Sequence, residues 1–450
     1  MPTTYESAVQ DLLALGHELT SSRKFDLAHM RRLAEALGNP QRKFQSVLIA
    51  GTNGKGSTAA TLASIVQAAG YRTGLYTSPH LLRPNERIQI NQEPISDAEF
   101  ALTYGHVKAA AVELVERGEL PWHPSFFEMV TAMAFEHFAA AGIELAVLEV
   151  GMGGRLDATN IVDPCISVIA DIDFDHQKFL GNTLPEIARE KAGILRPKGT
   201  VVLLPQHPQV NDTLGKEIMQ RDARAVSAVK HMPSLIPGAD GLDHAPGRNM
   251  FPLSVMGEEI EVNYPLPGRH QVRNLALAIT TAEELSRSGF HISPLEIERG
   301  IRTTRWPARF QVIPAEDGCP EIVLDVAHNP AGAWALRSTL STFYEDRPLT
   351  FVFGSMRDKA VGEIADILFP LAERVIATQA DNPRAASTRE VAEAGAHSQT
   401  KIVEEQSVRA ALERARMLAG SGGVIVITGS IYIVGEALGV LSHSSVRQSV

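Results

Sequence analysis

The stretch SVLIAGTNGKGSTAATLASIVQAAG, residues 46–70, decides the fold class of the amino-terminal half of the chain. Its first five residues are apolar or small and predict a buried strand, and a helix is expected to begin near Ser57. That helix carries one apolar face for packing on a sheet, formed by Leu62, Ile65, Val66 and Ala69. A strand, a glycine-rich loop and a helix in this order are typical of a nucleotide-binding α/β sheet.

The loop between strand and helix has the chemistry of a phosphate site. Gly51, Gly54 and Gly56 let backbone N–H groups converge on phosphate oxygens without obstruction by a Cβ atom. The helix N-terminus and Lys55 add positive charge. In the common nucleotide loop a hydroxyl residue follows the lysine directly, whereas Gly56 precedes Ser57 here, so a glycine-rich turn that binds nothing is the alternative.

Short β-branched segments alternate with longer amphipathic segments, which predicts βαβ units and mainly parallel sheets. Candidate strands in the first half are Ser46–Ala50, Thr73–Thr77, Glu144–Val150, Ile166–Ile172 and Thr200–Leu204. Those in the second half are Glu321–Val326, Thr350–Gly354, Arg374–Thr378 and Gly423–Thr428. Three helices are expected to start at capping boxes, formed by Ser96 with Glu99, Ser125 with Glu128, and Thr183 with Glu186.

Between residues 205 and 267 the alternation stops and Pro, Gly and His accumulate, which indicates an antiparallel or loop-rich insertion. A helix near residues 273–288 follows, and a fresh strand–helix series starts after residues 302–307. We therefore predict an α/β protein of two domains. Residues 1–300 form a domain with a P-loop NTPase-like parallel sheet, and residues 301–450 form a smaller Rossmann-like α/β domain.

The bulk composition excludes several classes of function. The chain of 450 residues has 44% hydrophobic and 21% charged residues, which is ordinary for globular proteins. A net charge of -10 without a long basic run argues against a nucleic-acid partner. Cys165 and Cys319 have no metal-ligand spacing, and a reducing cytoplasm fits them. No signal-peptide pattern and no apolar stretch of about 20 residues occur, so no membrane partner is expected.

Polar residues collect where predicted parallel strands end, which is where ligands bind in such sheets. Glu149 ends one strand, and either a bound cation or a nearby arginine such as Arg155 would offset its charge. After the next strand come three aspartates and a histidine, which suit a hard divalent ion or a structural role equally: Asp171, Asp173, Asp175 and His176.

Spacing alone leaves two further groups open. Lys191 reads best as a solvated helix residue. Asp325, His328 and Asn329 lie at another strand exit, with Arg309 upstream, and would close over a nucleotide from the second domain. The alternative is that Asp325 and His328 only cap the helix that Pro330 opens.

Taken together, these segments resemble the folylpolyglutamate synthase and dihydrofolate synthase family, within the Mur-ligase superfamily. The matching segments run in order through almost the whole chain: KFDL, GTNGKGS, YTSPHL, SFFE, LEVGMGGRLDATN, DH…LG, REKAGI, HQVRNLALA, WPARF, LDVAHNP and DK. The family pattern also contains the glycine after Lys55. Ala308 stands where the family has glycine, and Gln177 and Ala360 are further departures.

The resemblance implies roles for particular residues. The residues implied to contact ATP are Thr52, Asn53, Gly54, Lys55, Gly56, Ser57, Asn274, Arg309 and Asp325. The implied magnesium ligands are Ser78, Glu149 and His176. The segments implied to bind the pterin–benzoate end of the substrate are Lys24, Phe25, Asp26 and Leu27, then Ser125, Phe126, Phe127 and Glu128, then Leu156, Asp157 and Ala158. Lys191 matches a lysine that CO₂ converts to N6-carboxylysine, which reverses the expectation from spacing.

The function implied by the resemblance is ATP-dependent ligation of L-glutamate to dihydropteroate or to folates through an acyl phosphate. The expected catalytic residues are Lys55, Lys191 and, for the base, His328. Mg²⁺, with two ions expected, would accompany ATP, and the protein would act as a monomer. The alternatives are a Mur-type ligase acting on a nucleotide-sugar peptide, a P-loop ATPase switch without ligase activity, and a structural α/β protein that binds no nucleotide.

Overall fold

The computed structural model describes residues 3–16, 26–233, 247–316, 318–420 and 422–447. These residues divide into two compact units. The first unit contains the described residues up to 233, together with Pro252–Val262 and Arg273–Arg305. The second contains residues 247–251, Asn263–Val272 and the described chain from Trp306 onward.

The sheet of the first unit is mainly parallel, as predicted. Its described strands are β1 (Gln45–Ala50), β2 (Thr73–Tyr76), β3 (Ile88–Ile90), β4 (Glu93–Pro94), β5 (Leu145–Glu149), β6 (Ile166–Ile169), β7 (Thr200–Leu203) and β8 (Arg224–Ser227). Their spatial order is β4-β3-β2-β5-β1-β6-β7-β8, and β3 and β4 pair antiparallel at one edge. Because β1 pairs in parallel with β5 and β6, the carboxyl ends of all three strands meet at one edge of the sheet.

Helices flank this sheet, and the three predicted capping boxes are confirmed at the starts of the helices Asp97–Glu116, Phe126–Ala141 and Leu184–Ala192. The helices up to the second sheet are α1 (Tyr5–Ala14), α2 (Leu27–Ala36), α3 (Lys55–Ala68), α4 (Asp97–Glu116), α5 (Phe126–Ala141), α6 (Gln177–Leu180), α7 (Leu184–Ala192), α8 (Pro208–Gln220), α9 (Arg269–Arg287) and α10 (Pro294–Arg302). Short 3-10 helices occupy Pro40–Arg42, Pro84–Arg87, Ala158–Ile161 and Ala228–His231.

Helix α3 is buried more completely than its single apolar face suggested. Every residue from Gly56 to Val66 is buried. Helix α10 also packs on α3. Its Gly300 lies so close to α3 that a Cβ atom on Gly300 would come within 2.4 Å of the Ile65 Cα atom. The Ser64 hydroxyl donates a hydrogen bond of 2.7 Å to the carbonyl oxygen of Gly300. Helix α3 is therefore packed on both sides, and it continues directly from the glycine-rich loop.

The insertion contains a two-stranded sheet, formed by β9 (Asn249–Val255) and β10 (Glu258–Tyr264). The second unit has its own sheet, whose described strands are β11 (Gln311–Ile313), β12 (Glu321–Leu324), β13 (Leu349–Phe353), β14 (Arg374–Ala377), β15 (Lys401–Glu404) and β16 (Val424–Thr428). Their spatial order is β11-β12-β16-β13-β14-β15. All its pairings are parallel except that of β11 with β12, so the predicted α/β class is confirmed.

The helices of the second unit cover this sheet, with a core built around Phe351, Phe353 and Phe369. They are α11 (Pro330–Phe343), α12 (Val361–Leu368), α13 (Thr388–Ala394), α14 (Val408–Ala419) and α15 (Ile431–Arg447), with a 3-10 helix at Phe369–Leu371. Throughout the described part of the chain, every helix is too short or too polar to span a lipid bilayer.

Candidate active site

The glycine-rich loop is attached to the exit of β6. The backbone N–H groups of Thr52 and Asn53 donate to the carbonyl oxygen of Asp171, at 2.7 and 3.1 Å. The Thr52 hydroxyl donates to the carbonyl oxygen of Asp173 at 2.9 Å and accepts from its N–H at 3.0 Å. Gly54 then adopts φ +85°, a left-handed conformation that favours glycine, and α3 begins at the next residue. The loop is thus a rigid turn that ends at a helix N-terminus.

The first turns of α9 in this unit contact the same loop. A Cβ atom on Gly54 would come within 2.1 Å of the Oδ1 atom of the buried Asn274, so any other residue there would displace the asparagine side chain. The guanidinium of Arg273 forms two hydrogen bonds to the Asp171 carboxylate, Nη2 to Oδ1 at 2.6 Å and Nε to Oδ2 at 2.9 Å. Arg273 was not among the predicted site residues, although it precedes Asn274 in the HQVRNLALA segment.

Charged side chains meet behind the loop. The Lys55 Nζ atom lies 3.2 Å from the Thr52 carbonyl oxygen and 4.0 Å from Oε1 of Glu149, whose carboxylate is buried at the end of β5. The Ser78 N–H donates to Glu149 Oε2 at 3.2 Å. Arg155, the other partner considered for Glu149, forms its ion pair with Glu190. The structure therefore brings Lys55, Glu149 and Ser78 together.

The acidic residues after β6 separate into different roles instead of forming one cluster. Asp171 pairs with Arg273, and Asp173 Oδ1 accepts the Phe174 N–H at 2.7 Å. His176 has φ +50° at the start of α6, with its Nε2 atom 3.8 Å from Asp175 Oδ2. Among the described residues, no group of three or more His, Cys, Asp and Glu side chains is arranged to hold a metal ion. A metal site of mixed donors, including the Ser78 hydroxyl, stays a prediction.

Lys191 is buried, so the expectation of a solvated helix residue, drawn from spacing alone, is wrong. Its Nζ atom donates to the carbonyl oxygen of Gly51 at 2.7 Å. Burial, and then the charge of Lys55, lowers the pKa of its amine to about 7. The glycine-rich loop after β5 makes this position possible, since a Cβ atom on Gly154 would lie 2.9 Å from the Lys191 carbonyl oxygen. The Lys191 amine therefore contacts the start of the glycine-rich loop between β1 and α3.

The described parts of the three segments implied to bind the pterin–benzoate end are neighbours: α2 contacts α5, and both contact the 3-10 helix Ala158–Ile161. Lys24 and Phe25 lie outside the described residues. Asp26 caps α2 and Leu27 begins it, and Leu156 is partly buried. Ser125 and Glu128 bond to each other in the capping box of α5.

Two residues of these segments have contacts that shape the loop after β5. The Phe127 ring packs on Gly151, where a Cβ atom would come within 2.5 Å of the ring. Burial raises the pKa of the Asp157 carboxyl, which accepts the N–H groups of Met152 and Thr159 at 2.9 and 3.0 Å. The ring of Phe126 lies 4.9 Å below the Arg87 guanidinium. Phe126 and Phe127 are both buried, so their rings belong to the core beneath the loop after β5, and the binding role of these segments stays a prediction.

At the exit of β12 in the second unit, the buried carboxylate of Asp325 accepts the N–H groups of Phe310 and Ala327, both at 2.9 Å. Burial raises the pKa of the Asp325 carboxyl, and the charge of Arg309 opposes this effect. Ala308 has φ +58°, in the left-handed region where the family pattern has glycine. The His328 Nδ1 atom lies 2.9 Å from the Val326 carbonyl oxygen. The Asn329 side chain accepts the Gly332 N–H at 2.8 Å and caps α11, a role that the structural alternative had given to Asp325 and His328.

Two Mur ligase domain families match the chain. The Mur ligase middle domain matches residues 125–282, and the domain described as Mur ligase, glutamate ligase domain matches residues 308–431. The phosphate loop on a parallel sheet and the second, separate α/β sheet agree with this pair. The protein is a ligase of the Mur type.

One curated relative defines the family within this class. The dihydrofolate synthase/folylpolyglutamate synthase of Bacillus subtilis is 32% identical over 437 residues, which are 96% of this chain and 98% of that protein. The chain therefore belongs to the dihydrofolate synthase/folylpolyglutamate synthase family, the ATP-dependent, ADP-forming glutamate ligases of folate metabolism. The resemblance found from the sequence motifs is confirmed.

Solved structures agree over nearly the full length. The folylpolyglutamate synthase of Mycobacterium tuberculosis complexed with ADP and AMPPCP superimposes with a TM-score of 0.86 at 33% identity, covering 96% of this chain and 98% of that one. The bifunctional enzyme of Yersinia pestis complexed with AMPPNP and a Mn ion has a TM-score of 0.79 at 28% identity, covering 97% and 98%. A nucleotide and a divalent metal thus accompany this fold.

Proposed function

We propose that this protein joins L-glutamate to dihydropteroate, to the γ-carboxylate of folates, or to both, through an acyl phosphate formed at the loop of residues 52–57. The observation that carries the proposal is the buried Glu149 carboxylate, 4.0 Å from the Lys55 ammonium, directly behind that loop. An anionic site beside a phosphate loop suits a metal–triphosphate complex, because the metal ion offsets the negative charges of the Glu149 carboxylate and of the triphosphate.

The chemistry requires two steps, because an amine cannot expel hydroxide from a carboxylate at a useful rate. First, a carboxylate oxygen of the substrate bonds to the γ-phosphorus of ATP, and the bond from that phosphorus to the bridging oxygen breaks to release ADP. Lys55 and the N–H groups at the start of α3 neutralise the charge that develops on the phosphate oxygens. Second, the glutamate α-nitrogen bonds to the acyl carbon, and inorganic phosphate leaves with the electrons of the C–O bond.

The glutamate amine must lose a proton in the second step, and His328 is our candidate for the base. Its Nδ1 atom is 2.9 Å from the carbonyl oxygen of Val326, which can only accept a hydrogen bond. That contact assigns the proton of the neutral ring to Nδ1 and leaves the lone pair on Nε2. A neutral imidazole in this tautomer can accept a proton through Nε2.

Ser78, Glu149 and His176 are the proposed magnesium ligands, with two ions in the complete site. A hydroxyl and a carboxylate are oxygen donors of the kind that Mg²⁺ prefers, so the donor chemistry at Glu149 and Ser78 fits. When bound, magnesium supplies charge neutralisation and orientation of the phosphate groups. The chain's own part is to hold the Glu149 carboxylate at the sheet edge, which the Ser78 N–H does at 3.2 Å.

Lys191 is proposed to carry a carboxyl group derived from CO₂. Since burial lowers the pKa of its amine to about 7, a large fraction of the amine is neutral at that pH and can bond to the carbon of CO₂, with loss of one proton. The product is a carbamate anion in place of an ammonium ion. A carbon-13 carbamate resonance in the presence of labelled bicarbonate, absent in Lys191→Met, would identify the modification.

The remaining assignments belong to the same proposal. Asn274, Arg309 and Asp325 contact ATP, and residues 24–27, 125–128 and 156–158 bind the pterin–benzoate end. Residues 1–300 are proposed to form the ATP-binding domain and residues 301–450 the second α/β domain, in a monomeric cytoplasmic enzyme.

A parallel assay tests the function. Purified protein is incubated with ATP, Mg²⁺ and labelled glutamate, and with dihydropteroate in one reaction and tetrahydrofolate in the other. Amide product in both reactions identifies a bifunctional enzyme, and product only with tetrahydrofolate identifies a folylpolyglutamate synthase. ATP hydrolysis that is indifferent to glutamate and to both acids, with no amide formed, would favour an ATPase switch and contradict the proposal.

A further inference from the structure

The first unit contains a pocket beside α9, at the end of this helix that is farther from the phosphate loop. It has a volume of about 620 Å³, and its lining includes Lys230, His231, Glu283, Arg287, Ser254 and Met256. Glu283 follows Asn274 by nine positions on one helix, which places it about 14 Å further along the axis. A cavity of several hundred Å³ is large enough for a small metabolite.

Two buried carboxylates on α9, Glu283 and Glu284, contact the basic side chains of this pocket, and Glu283 also lines it. Glu283 forms an ion pair with Lys230, and its Oε1 atom lies 3.1 Å from the Nε2 atom of His231. Glu284 pairs with Arg224 and Arg287. Each acid therefore anchors two basic side chains. The basic groups remain partly exposed, with 50% of the Lys230 side chain and 63% of the Arg287 side chain open to solvent.

His231 gives a second, independent reason to expect a ligand. The residue is only 2% exposed, and yet its Nδ1 atom has no hydrogen-bond partner among the residues that the structure describes. A buried ring nitrogen without a partner costs free energy unless something in the cavity bonds to it. The ring lines the pocket, so a ligand atom there can supply the missing hydrogen bond.

We propose that this pocket is a binding site for a small anion bearing carboxylate or phosphate groups, separate from the ATP site. An ammonium and a guanidinium can each donate to such an oxygen with the hydrogens that their ion pairs leave over. His231 adds a contact from the buried side. The inference does not depend on the folate assignment, because no residue of the phosphate loop lines the pocket.

Met256 offers a matched pair of variants that leave the buried ion pairs intact. It lines the pocket, is 41% exposed, and has φ +52° in the turn between β9 and β10. Asp and Asn tolerate this left-handed conformation better than most residues and have nearly the same shape. Met256→Asp adds a negative charge to the pocket, and Met256→Asn serves as the uncharged control.

Calorimetric titration of the full-length protein with inorganic phosphate, and separately with citrate, tests the proposal. We expect saturable binding of at least one probe, weakened about tenfold or more in Met256→Asp by charge repulsion and unchanged in Met256→Asn. Arg287→Gln should weaken binding similarly, and Glu284 keeps Arg224 as its partner in that variant. Binding of phosphate alone or of citrate alone would identify which anionic group the pocket accepts.

Two results would overturn the inference. One is the absence of saturable binding with both probes. The other is binding that Lys55→Ala abolishes while Met256→Asp retains it, since the probe would then occupy the phosphate loop. Thermal unfolding of each variant checks that a loss of binding does not arise from a loss of fold.

Discussion

The exits of β5 and β12 both hold a buried carboxylate, and the two differ in what surrounds it. Glu149 lies 4.0 Å from the ammonium group of Lys55 and accepts the Ser78 N–H at 3.2 Å. Asp325 accepts two short hydrogen bonds from the backbone of Phe310 and Ala327. A carboxylate held by two backbone groups stabilises a loop, whereas one beside the lysine of a glycine-rich loop is placed to respond to a charged ligand. The comparison predicts that catalysis depends most on the first site and stability most on the second.

Removing Lys55 should have the largest effect. Lys55→Ala deletes the cation that neutralises the transferring phosphoryl group, and kcat should fall by about 10²–10³-fold or more. Glu149→Ala should abolish turnover as well. Both proteins should unfold near the wild-type temperature, with the exposed Lys43→Ala as the control. Activity within tenfold of wild type in Lys55→Ala would contradict the proposed site.

Lys191 should make stability depend on pH. The folded state holds its amine at a pKa of about 7, against an ordinary 10.5, so the unfolded state binds more protons between these values and the free energy of unfolding rises with pH there. The slope is at most about 1.4 kcal/mol per pH unit. Denaturant titrations in buffer free of CO₂ should show this rise for the wild type relative to Lys191→Met. Equal slopes in the two proteins would refute the lowered pKa.

Asp325→Asn should lower the stability of the loop more than it lowers the rate of the chemical step. An amide has one acceptor oxygen for two backbone N–H groups, so one of them loses its partner at a cost of about 1–3 kcal/mol. We expect a lower melting temperature and a raised KM for ATP, with kcat within about tenfold of wild type. A kcat loss as large as that of Lys55→Ala, with unchanged stability, would reverse the contrast between the two exits.

Ala308→Gly should have the smallest effect of these substitutions on stability, and Ala308→Val should have a larger one. At φ +58° glycine removes backbone strain but loses a buried methyl group and adds chain entropy, so Ala308→Gly should change the free energy of unfolding by no more than about 1 kcal/mol. Ala308→Val should cost about 2 kcal/mol or more, because a β-branched residue is strained there. Equal stability of both variants would show that the left-handed backbone at this residue relaxes.

Local patterns predicted much of the fold correctly. The three capping boxes and the main parallel strands depend on neighbours in sequence, and each of them occurs in the structure. Several short strands at the sheet edges were missed, among them β4 and β8, because brief and polar segments carry little periodic signal. The group of aspartates after β6 was predicted as a possible cluster, but Arg273 and the backbone engage its members separately.

The sequence by itself determined the class of protein, since a strand, glycine loop, lysine and helix occur consecutively and the family motifs follow in order. Only the tertiary structure decided the environment of individual charges. Lys191 is buried because its backbone packs closely on Gly154 and its amine donates a hydrogen bond to the carbonyl oxygen of Gly51. The sequence of the helix that carries Lys191 predicts neither contact. The desolvation and the pairing of a charged side chain depend on which distant segments pack around it, and this packing is a property of the folded chain.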